Sequence, residues 1–377
     1  MTDNLIAQIR AYSQQLTEEM TPVEFEEGFP ISVVDRVRPR QVPPARTKWM
    51  VALASALTVL VFGLLVWLLR STEAGPVAGT LTTLTSPTAT TGGDASLDLF
   101  TPIEGWIVYS FNSELMAVDP ANPEAQLSLG PANDLEPVGW SADGTRLLLV
   151  ETDKDGSEGL AFYQAAGYAN DLHVMNADGS VQQLTTGLTI DGGSLSPDGT
   201  GFVYSQGGHL YAADGLEAPP KLLDATDSDI FLGHPAWSPD GSQIAFISVD
   251  PDVRLWSISA MNADGTGLRV IKEPDKLVVY ELAWSPDGSQ LAFIAQDQSQ
   301  LPFPVSDAGV FVVNADGSEL KELAYGAGYR QVVWSPDGSR LAYLRSSLLF
   351  TMAADGSDQH RVAGVIAPRT IAWNPVG

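Results

Sequence analysis

Short apolar runs recur along the C-terminal three-quarters of the chain, and each run is bounded by turn-forming residues. Two examples are IAFIS at 244–248 and LAFIA at 291–295, which both follow an Asp-Gly pair. A short apolar run between turn signals is typical of a strand that is covered on both faces. Because no long helical pattern occurs after residue 103, the sequence predicts an all-β domain over 103–377.

The runs belong to an internal repeat with the turn motif Trp-Ser-Pro-Asp-Gly. Five copies and the start of a sixth begin at Trp140, Leu195, Trp237, Trp284, Trp334 and Trp373. A second turn, Asn-Ala-Asp-Gly or a close variant, lies within 175–180, 261–266, 313–318 and 352–357. Pro and Asp suit the centre of a type I turn, and Gly supplies the positive φ that follows. Both motifs therefore predict tight hairpins.

Each unit predicts four strands joined by a Ser-Pro-Asp-Gly turn, a variable loop and an Asn-Ala-Asp-Gly turn. A four-stranded antiparallel sheet that recurs at this period is a propeller blade. The repeats resemble the TolB-like propeller family, also described as WD40-like or PD40, over residues 104–377. Leu195 and Ala142 depart from the motif at its Trp and Pro positions. The resemblance implies a propeller fold and a role in protein interaction, but it assigns no partner-binding residue.

The two ends of the repeat region together predict a sixth blade. The sixth motif copy leaves room for one strand, at 369–373, before the chain stops. Three further strands are predicted at 105–110, 114–119 and 125–129. Pairing the last strand with the first would close the ring without a free sheet edge. We therefore predict a six-bladed propeller whose closing blade is shared between the two ends of the domain.

An uncharged apolar segment at 49–69 predicts one transmembrane helix before the propeller. Its 21 residues would span roughly 31 Å as a helix, close to the hydrocarbon thickness of a bilayer. Basic residues concentrate on its N-terminal side, at Arg36, Arg38, Arg40, Arg46 and Lys48. The positive-inside rule then places the tail of residues 1–48 in the cytoplasm and the propeller outside. The length of the tail and of the apolar run favours an uncleaved signal anchor over a cleaved signal peptide.

The remaining segments differ sharply in composition and charge. Residues 70–102 are rich in Thr, Ser, Gly and Pro, which is typical of a linker. The net charge is −26, and it belongs to the part after residue 70, since the first 70 residues carry seven acids and seven bases. Such a charge argues against nucleic acid as a partner. The chain has no cysteine, which excludes disulfides and thiolate metal sites, and no cofactor or metal site is predicted.

The variable loops are expected to gather on one face of the disc, opposite the uniform tight turns. Two of them, 151–170 and 295–308, are long and carry aromatic residues. Loops on a rigid scaffold commonly carry recognition, and aromatic side chains can anchor a partner. The candidate partner-binding residues are Phe162, Tyr163, Tyr168, Trp256 and Phe303.

Three classes of function remain after this reading of the sequence. The first is a non-catalytic, membrane-tethered module at the cell envelope that binds a protein or an envelope ligand. The second is a transmembrane regulator, in which residues 1–48 bind a cytoplasmic partner. The third is a propeller-type hydrolase or lactonase. The nearest match to a hydrolase elbow is 139–143, which ends in Asp and lies at a repeat turn. We therefore predict no catalytic residue, although the sequence does not identify the residues that line the channel.

Overall fold

The strand–turn repeats fold into small antiparallel sheets. A computed structural model describes residues 98–151, 171–223, 230–250, 255–275, 277–297, 307–365 and 368–375. These residues form 24 strands, preceded by one 3-10 helix at Thr101–Ile103. All the described residues belong to one compact unit.

The strands form six four-stranded sheets, which we name blades A to F. Blade A contains β1 (Ile107–Phe111), β2 (Glu114–Asp119), β3 (Asn122–Pro131) and β24 (Ile371–Trp373). Blade B contains β4 (Leu135–Trp140), β5 (Arg146–Glu151), β6 (Leu172–Asn176) and β7 (Val181–Gln183). Blade C contains β8 (Gly192–Leu195), β9 (Phe202–Gln206), β10 (His209–Ala213) and β11 (Lys221–Leu222).

Blade D contains β12 (Phe231–Trp237), β13 (Gln243–Asp250), β14 (Leu255–Asn262) and β15 (Arg269–Asp275). Blade E contains β16 (Leu277–Trp284), β17 (Gln290–Asp297), β18 (Asp307–Asn314) and β19 (Lys321–Ala327). Blade F contains β20 (Tyr329–Trp334), β21 (Arg340–Arg345), β22 (Leu348–Ala353) and β23 (His360–Arg361).

The closing blade is built as the sequence predicts. Its strand order is β24-β1-β2-β3, so the C-terminal strand lies beside the first strand of the domain. The two strands are antiparallel and pair Ile107 with Trp373 and Tyr109 with Ile371. Three strands of blade A therefore come from one end of the domain, and the fourth comes from the other end.

The first strand of each repeat is the innermost strand of its blade. These inner strands are β4, β8, β12, β16, β20 and β24, and each contacts the inner strands of both neighbouring blades. Tryptophan side chains reinforce two of these contacts. The indole N–H of Trp284 donates to the carbonyl of Ala236 at 3.1 Å, and that of Trp334 donates to Ala283 at 3.2 Å. The six inner strands thus form a closed ring around the central channel.

The hydrophobic core is divided into six clusters, one between each pair of adjacent blades. Side chains alternate along each strand, so the two faces of one blade contribute to two different clusters. In β13, for example, Phe246 packs towards blade C while Ile247 packs towards blade E. Full burial of one such side chain contributes about 1.5–3 kcal/mol. Every blade therefore depends on both of its neighbours for its core.

The Ser-Pro-Asp-Gly turns are held by side-chain hydrogen bonds. In blade D, the Ser238 hydroxyl donates to Asp240 at 2.7 Å, and the backbone N–H of Gln243 donates to Ser238 at 2.9 Å. The backbone N–H and the hydroxyl of Ser242 also donate to Asp240, at 3.0 and 2.8 Å. These bonds lower the pKa of the Asp240 carboxyl. The repeated aspartates therefore form turns, which accounts for much of the acidity of the domain.

Replacing Asp240 with Ala should destabilise the propeller by about 2 kcal/mol, because a carboxylate that accepts several hydrogen bonds is lost. Asp214→Asn is the matched control. Asp214 pairs with Lys221 at 2.8 Å, and both side chains are largely exposed, so we expect a change below about 0.5 kcal/mol. Urea unfolding monitored by tryptophan fluorescence measures both changes. Equal shifts for the two variants would contradict this role of the turn.

The predicted membrane segment at 49–69 lies outside the described residues. Within the part of the chain that the structure describes, no helix is long and apolar enough to cross a membrane. The N-terminal tail and residues 70–97 of the predicted linker also lie outside this part. Residues 98–102 are described, and Phe100 packs in the cluster between blades A and B.

Candidate functional site

The strand order gives the propeller two different faces. One face, which we call the turn face, carries the Ser-Pro-Asp-Gly and Asn-Ala-Asp-Gly turns. The other, the loop face, carries the connections between second and third strands and between blades. In blades A, C and F the connection between second and third strands is a tight two-residue turn, at Asn112–Ser113, Gly207–Gly208 and Ser346–Ser347. The corresponding connections are longer in blades B, D and E.

Four of the five predicted partner-binding residues, Phe162, Tyr163, Tyr168 and Phe303, lie outside the described residues. The fifth prediction, Trp256, needs correction. Trp256 lies in β14, is 1% exposed and packs in the cluster between blades D and E. Its indole contributes to the core because the strand extends further towards the loop than the sequence suggested. It is therefore unavailable as an exposed anchor on the loop face.

Two exposed aromatic residues of the loop face escaped the sequence analysis. Phe231 begins the inner strand β12 and is 50% exposed. Its ring covers Gly208, and the backbone N–H of Leu232 donates to the Gly208 carbonyl at 2.8 Å. Tyr325, which is 37% exposed, lies near the loop-face end of β19. Both lie within strands, so a search confined to loops missed them.

The inner strands carry a ring of variable residues around the central channel. These residues lie three positions before the Trp or Leu that ends each inner strand, and we call them the wall ring: Pro137, Gly192, His234, Glu281, Gln331 and Thr370. In β4, β12, β16 and β20 the pairing with the second strand shifts register at or beside this position. Such bulges bend a strand and redirect its side chains. The wall ring is therefore the level at which the inner strands differ most from one another.

One side of the wall ring is occupied by paired polar groups. The Gln331 side chain donates to the carbonyl of Ile371 at 3.0 Å and accepts from its backbone N–H at 2.8 Å. Arg369 pairs with Glu136 at 3.3 Å across the junction of blades A and B. These contacts join β20 to β24 and β24 to β4. They therefore stabilise the closure of the ring.

The opposite side contains three ionisable groups, namely Glu281 in β16, His234 in β12 and Asp191 directly before β8. Burial raises the pKa of Glu281 from 4.5 to about 7, and neither a hydrogen bond nor a nearby charge opposes the shift. Burial likewise raises the pKa of Asp191, next to Gly192, to about 6, and lowers that of His234 to about 4. Glu281 keeps some accessible surface.

His234 and Gly192 show how closely the inner strands of blades C and D approach. His234 has a φ of 50°, a left-handed conformation that is uncommon for residues other than glycine. A Cβ at Gly192 would lie 3.1 Å from the Cα of His234 and 3.5 Å from its Nδ1. Gly192 therefore provides the space that the imidazole occupies. Strained residues of this kind often mark functional sites.

The wall ring could have been located from the sequence by aligning the repeats on their terminal Trp. The motif residues after that Trp are nearly constant, whereas the third residue before it changes in every copy. Variation at one position of a regular repeat indicates that the repeat does not require one particular residue there. The burial of Glu281 and the pairing of Gln331, by contrast, required the tertiary structure.

Solved structures that resemble this chain share its propeller fold. TolB from Acinetobacter baumannii matches with a TM-score of 0.54 at 17% identity, covering 72% of this chain and 67% of that one. A chain of a nidogen/laminin complex matches with a TM-score of 0.53 at 13% identity, covering 71% and 98%. A protein described as TolB from Agrobacterium tumefaciens matches with a TM-score of 0.51 at 19% identity, covering 68% and 88%. At these identities the likeness shows the fold alone, a TolB-like six-bladed propeller.

Comparisons at the level of sequence add no relative. No protein-family model matches the chain, and no curated protein matches it. The chemistry of the site therefore has to be argued from its own residues. In the described ranges, no three His, Asp or Glu side chains are grouped so that they could hold a metal ion.

Proposed function

We propose that the chain is a non-catalytic binding module, tethered to the membrane, that binds a protein partner on its loop face. The observation that carries this proposal is the asymmetry of the two faces. The turn face repeats one tight, internally bonded turn, whereas the loop face combines varied connections and exposed aromatic residues. A rigid scaffold that varies on one face is the usual arrangement of a recognition domain.

Two features of the described surface support a partner at this face. Phe231 and Tyr325 are large aromatic side chains that are 50% and 37% exposed, and aromatic side chains are common interface anchors. The known TolB and nidogen/laminin structures share this fold, but the fold by itself does not select a partner. The proposal therefore depends on the loop face of this chain.

The membrane tether is supported by the sequence. The uncharged segment at 49–69 has the length of a spanning helix, and basic residues precede it. A tether of this kind would hold the propeller outside the cytoplasm. Its acidic surface would be repelled by anionic headgroups, so the linker of residues 70–102 would let the loop face reach a partner away from the bilayer.

Photocrosslinking in intact cells tests the proposed face. A photoreactive amino acid replaces Tyr325 in the full-length chain, and Leu320 provides the matched control. Tyr325 lies within the outer strand β19 and is 37% exposed, and Leu320 directly precedes that strand, towards the turn face, and is 46% exposed. We expect one protein to be captured from position 325 and not from position 320. A second variant carries the photoreactive amino acid at Phe231. Equal capture from positions 325 and 320, or no capture from either position 325 or position 231, would refute binding at the loop face.

A further inference from the structure

The loop-face part of blade F carries the opposite charge from the chain as a whole. The chain contains 46 acidic and 20 basic residues. The segments of this sector, 328–331, 343–350 and 361–371, contain no acidic residue and four arginines, namely Arg330, Arg345, Arg361 and Arg369. A basic sector on so acidic a chain attracts an anionic group that the remaining surface repels.

Arg345 is held in one orientation by two contacts. It ends β21 and pairs in register with Tyr329, the first residue of β20. Its guanidinium lies over the Tyr329 ring, 5.0 Å from the ring centre, and its Nε donates to the carbonyl of Ala327 at 3.3 Å. Tyr329 is 6% exposed and packs in the core cluster between blades E and F. The planar guanidinium therefore rests on a fixed platform.

These two contacts leave the Nη1 and Nη2 end of the Arg345 guanidinium available. Within the described ranges Arg345 makes no ion pair, and its Nη atoms make no hydrogen bond. A Cβ at Gly326 would lie 3.5 Å from Nη2, so the absence of a side chain at Gly326 keeps this end uncovered. Five other bases of the domain each pair with a carboxylate: Lys221, Lys272, Lys321, Arg340 and Arg369. Arg345 thus combines a fixed position with a charge that the described residues do not neutralise.

The geometry around Arg345 identifies the class of group that would complete it. Because Ala327 occupies Nε, a ligand has to approach the Nη end, where two parallel N–H groups match the two oxygens of a carboxylate. A phosphate dianion would bring a second negative charge to a strongly acidic domain. The exposed Ser346 hydroxyl follows Arg345 in the chain and packs over Gly328, where a Cβ would lie 2.5 Å from Oγ. This hydroxyl can donate to the same carboxylate.

We propose that Arg345 binds a carboxylate side chain, Asp or Glu, of the protein partner at the loop face. The inference rests on the proposed function, since it names the group by which the partner would be held. Ala327, whose carbonyl fixes Arg345, lies two residues after the exposed Tyr325 in β19. The arginine therefore continues the surface on which Tyr325 lies. An arginine beside an exposed tyrosine is a common composition for the residues that dominate an interface.

Binding of a defined acidic peptide tests the site. The probe is rhodamine-labelled Gly-Glu-Gly-Glu-Gly-Glu, and the same peptide with Gln in place of Glu is the neutral control. Fluorescence anisotropy is measured with the full-length chain in a non-ionic detergent at physiological ionic strength. We expect the Gln peptide to bind about tenfold more weakly, because it cannot form the charge-assisted pair of hydrogen bonds. Arg345→Gln should weaken binding of the Glu peptide by about the same factor.

Two further variants separate a binding role from a structural one. Lys221→Gln removes one positive charge from an exposed base of the outer strand of blade C, and it should leave binding of the Glu peptide unchanged. Arg345→Lys keeps the charge but loses the two parallel donors, so it should weaken binding about fivefold. A role confined to packing on Tyr329 would lower the free energy of unfolding of the Arg345 variants. It would leave the ratio of affinities for the Glu and Gln peptides unchanged.

The proposal is overturned if the Glu peptide does not bind at millimolar concentration, if the two peptides bind equally, or if Arg345→Gln and Lys221→Gln behave alike. Displacement of the peptide by inorganic phosphate at lower concentration than by acetate would indicate a phosphate site and overturn the assignment to a carboxylate. These outcomes are distinct from failure of the proposed function, because the titration needs no cellular partner. Crosslinking from position 325 without peptide binding would support a protein partner and reject this anchor. Peptide binding without crosslinking would support a carboxylate site at Arg345 and overturn its assignment to a protein partner.

Discussion

Removing residues 369–377 is expected to unfold the whole propeller, not only its last blade. The deletion removes β24, which is the innermost strand of blade A and the neighbour of both β20 and β4. It exposes the edge of β1 and opens the clusters between blades F and A and between A and B. Because each blade obtains its core from its neighbours, the opening spreads round the ring. The shortened chain should show no cooperative thermal transition by circular dichroism.

A point substitution makes the same prediction measurable in a folded protein. Ile371 is fully buried, and its backbone N–H and carbonyl both bind Gln331. Ile371→Ala should cost about 2–4 kcal/mol of unfolding free energy, because it leaves a cavity at the junction of blades. Leu222→Ala removes a similar side chain from the outer strand of blade C, where it is 51% exposed. That control should change stability by less than about 0.5 kcal/mol.

Closure by β24 would be refuted by either of two results. One is a truncated chain that unfolds cooperatively at nearly the original temperature. The other is a loss for Ile371→Ala no larger than that for Leu222→Ala. A retained transition would mean that five blades and the open three-stranded sheet support one another without the C-terminal strand.

Glu281→Gln is expected to stabilise the propeller at pH 8 and to have almost no effect at pH 4. The folded carboxyl has a pKa of about 7, against an ordinary value of 4.5 in the unfolded chain. At a pH between these two pKa values, the unfolded chain has released the Glu281 proton and the folded chain still holds it. The free energy of unfolding therefore falls as the pH rises through this range. The penalty is absent below pH 4.5 and complete above pH 7. A shift of this size corresponds to about 3 kcal/mol, which the partial exposure of Glu281 to solvent reduces to about 2 kcal/mol.

The comparison of variant with original at each pH isolates Glu281 from its neighbours. Asp191 acts in the same direction between its ordinary pKa of 3.8 and about 6. His234 acts in the opposite direction, because burial lowers its pKa from 6.5 to about 4. The stability gained from neutral His234 is present above pH 6.5 and is lost as the pH falls towards 4. Both effects are shared by variant and original, so they cancel in the difference.

Urea unfolding at pH 4, 6 and 8 measures this difference, with Glu319→Gln as the exposed control. We expect the advantage of Glu281→Gln to grow across the series while the control stays near zero. An advantage that is equal at all three pH values would contradict a buried, titrating carboxyl.

The residues that the sequence located correctly are those whose role is local. The Asp and Gly of each Ser-Pro-Asp-Gly motif fix a turn through bonds to residues no more than five positions away, so the motif alone identifies them. The pairing of Trp373 with Ile107 was also predictable, because a repeat with one strand at one end needs three at the other. Trp256 was misplaced because its burial depends on blade E, far away in the sequence. Phe231 and Tyr325 were missed for the related reason that exposure depends on which neighbours cover a strand.

The sequence by itself determined the repeat, the six blades and the shared closing blade, because turn chemistry and strand alternation are properties of short segments. It also predicts the membrane segment at 49–69, from length and hydrophobicity alone. Only the tertiary structure decided that burial shifts the pKa values of Glu281, Asp191 and His234, and that the Gln331 side chain is hydrogen-bonded across the junction of blades F and A. Those residues lie on different blades, and a carboxyl acquires its pKa from surroundings that exist only after the ring has closed.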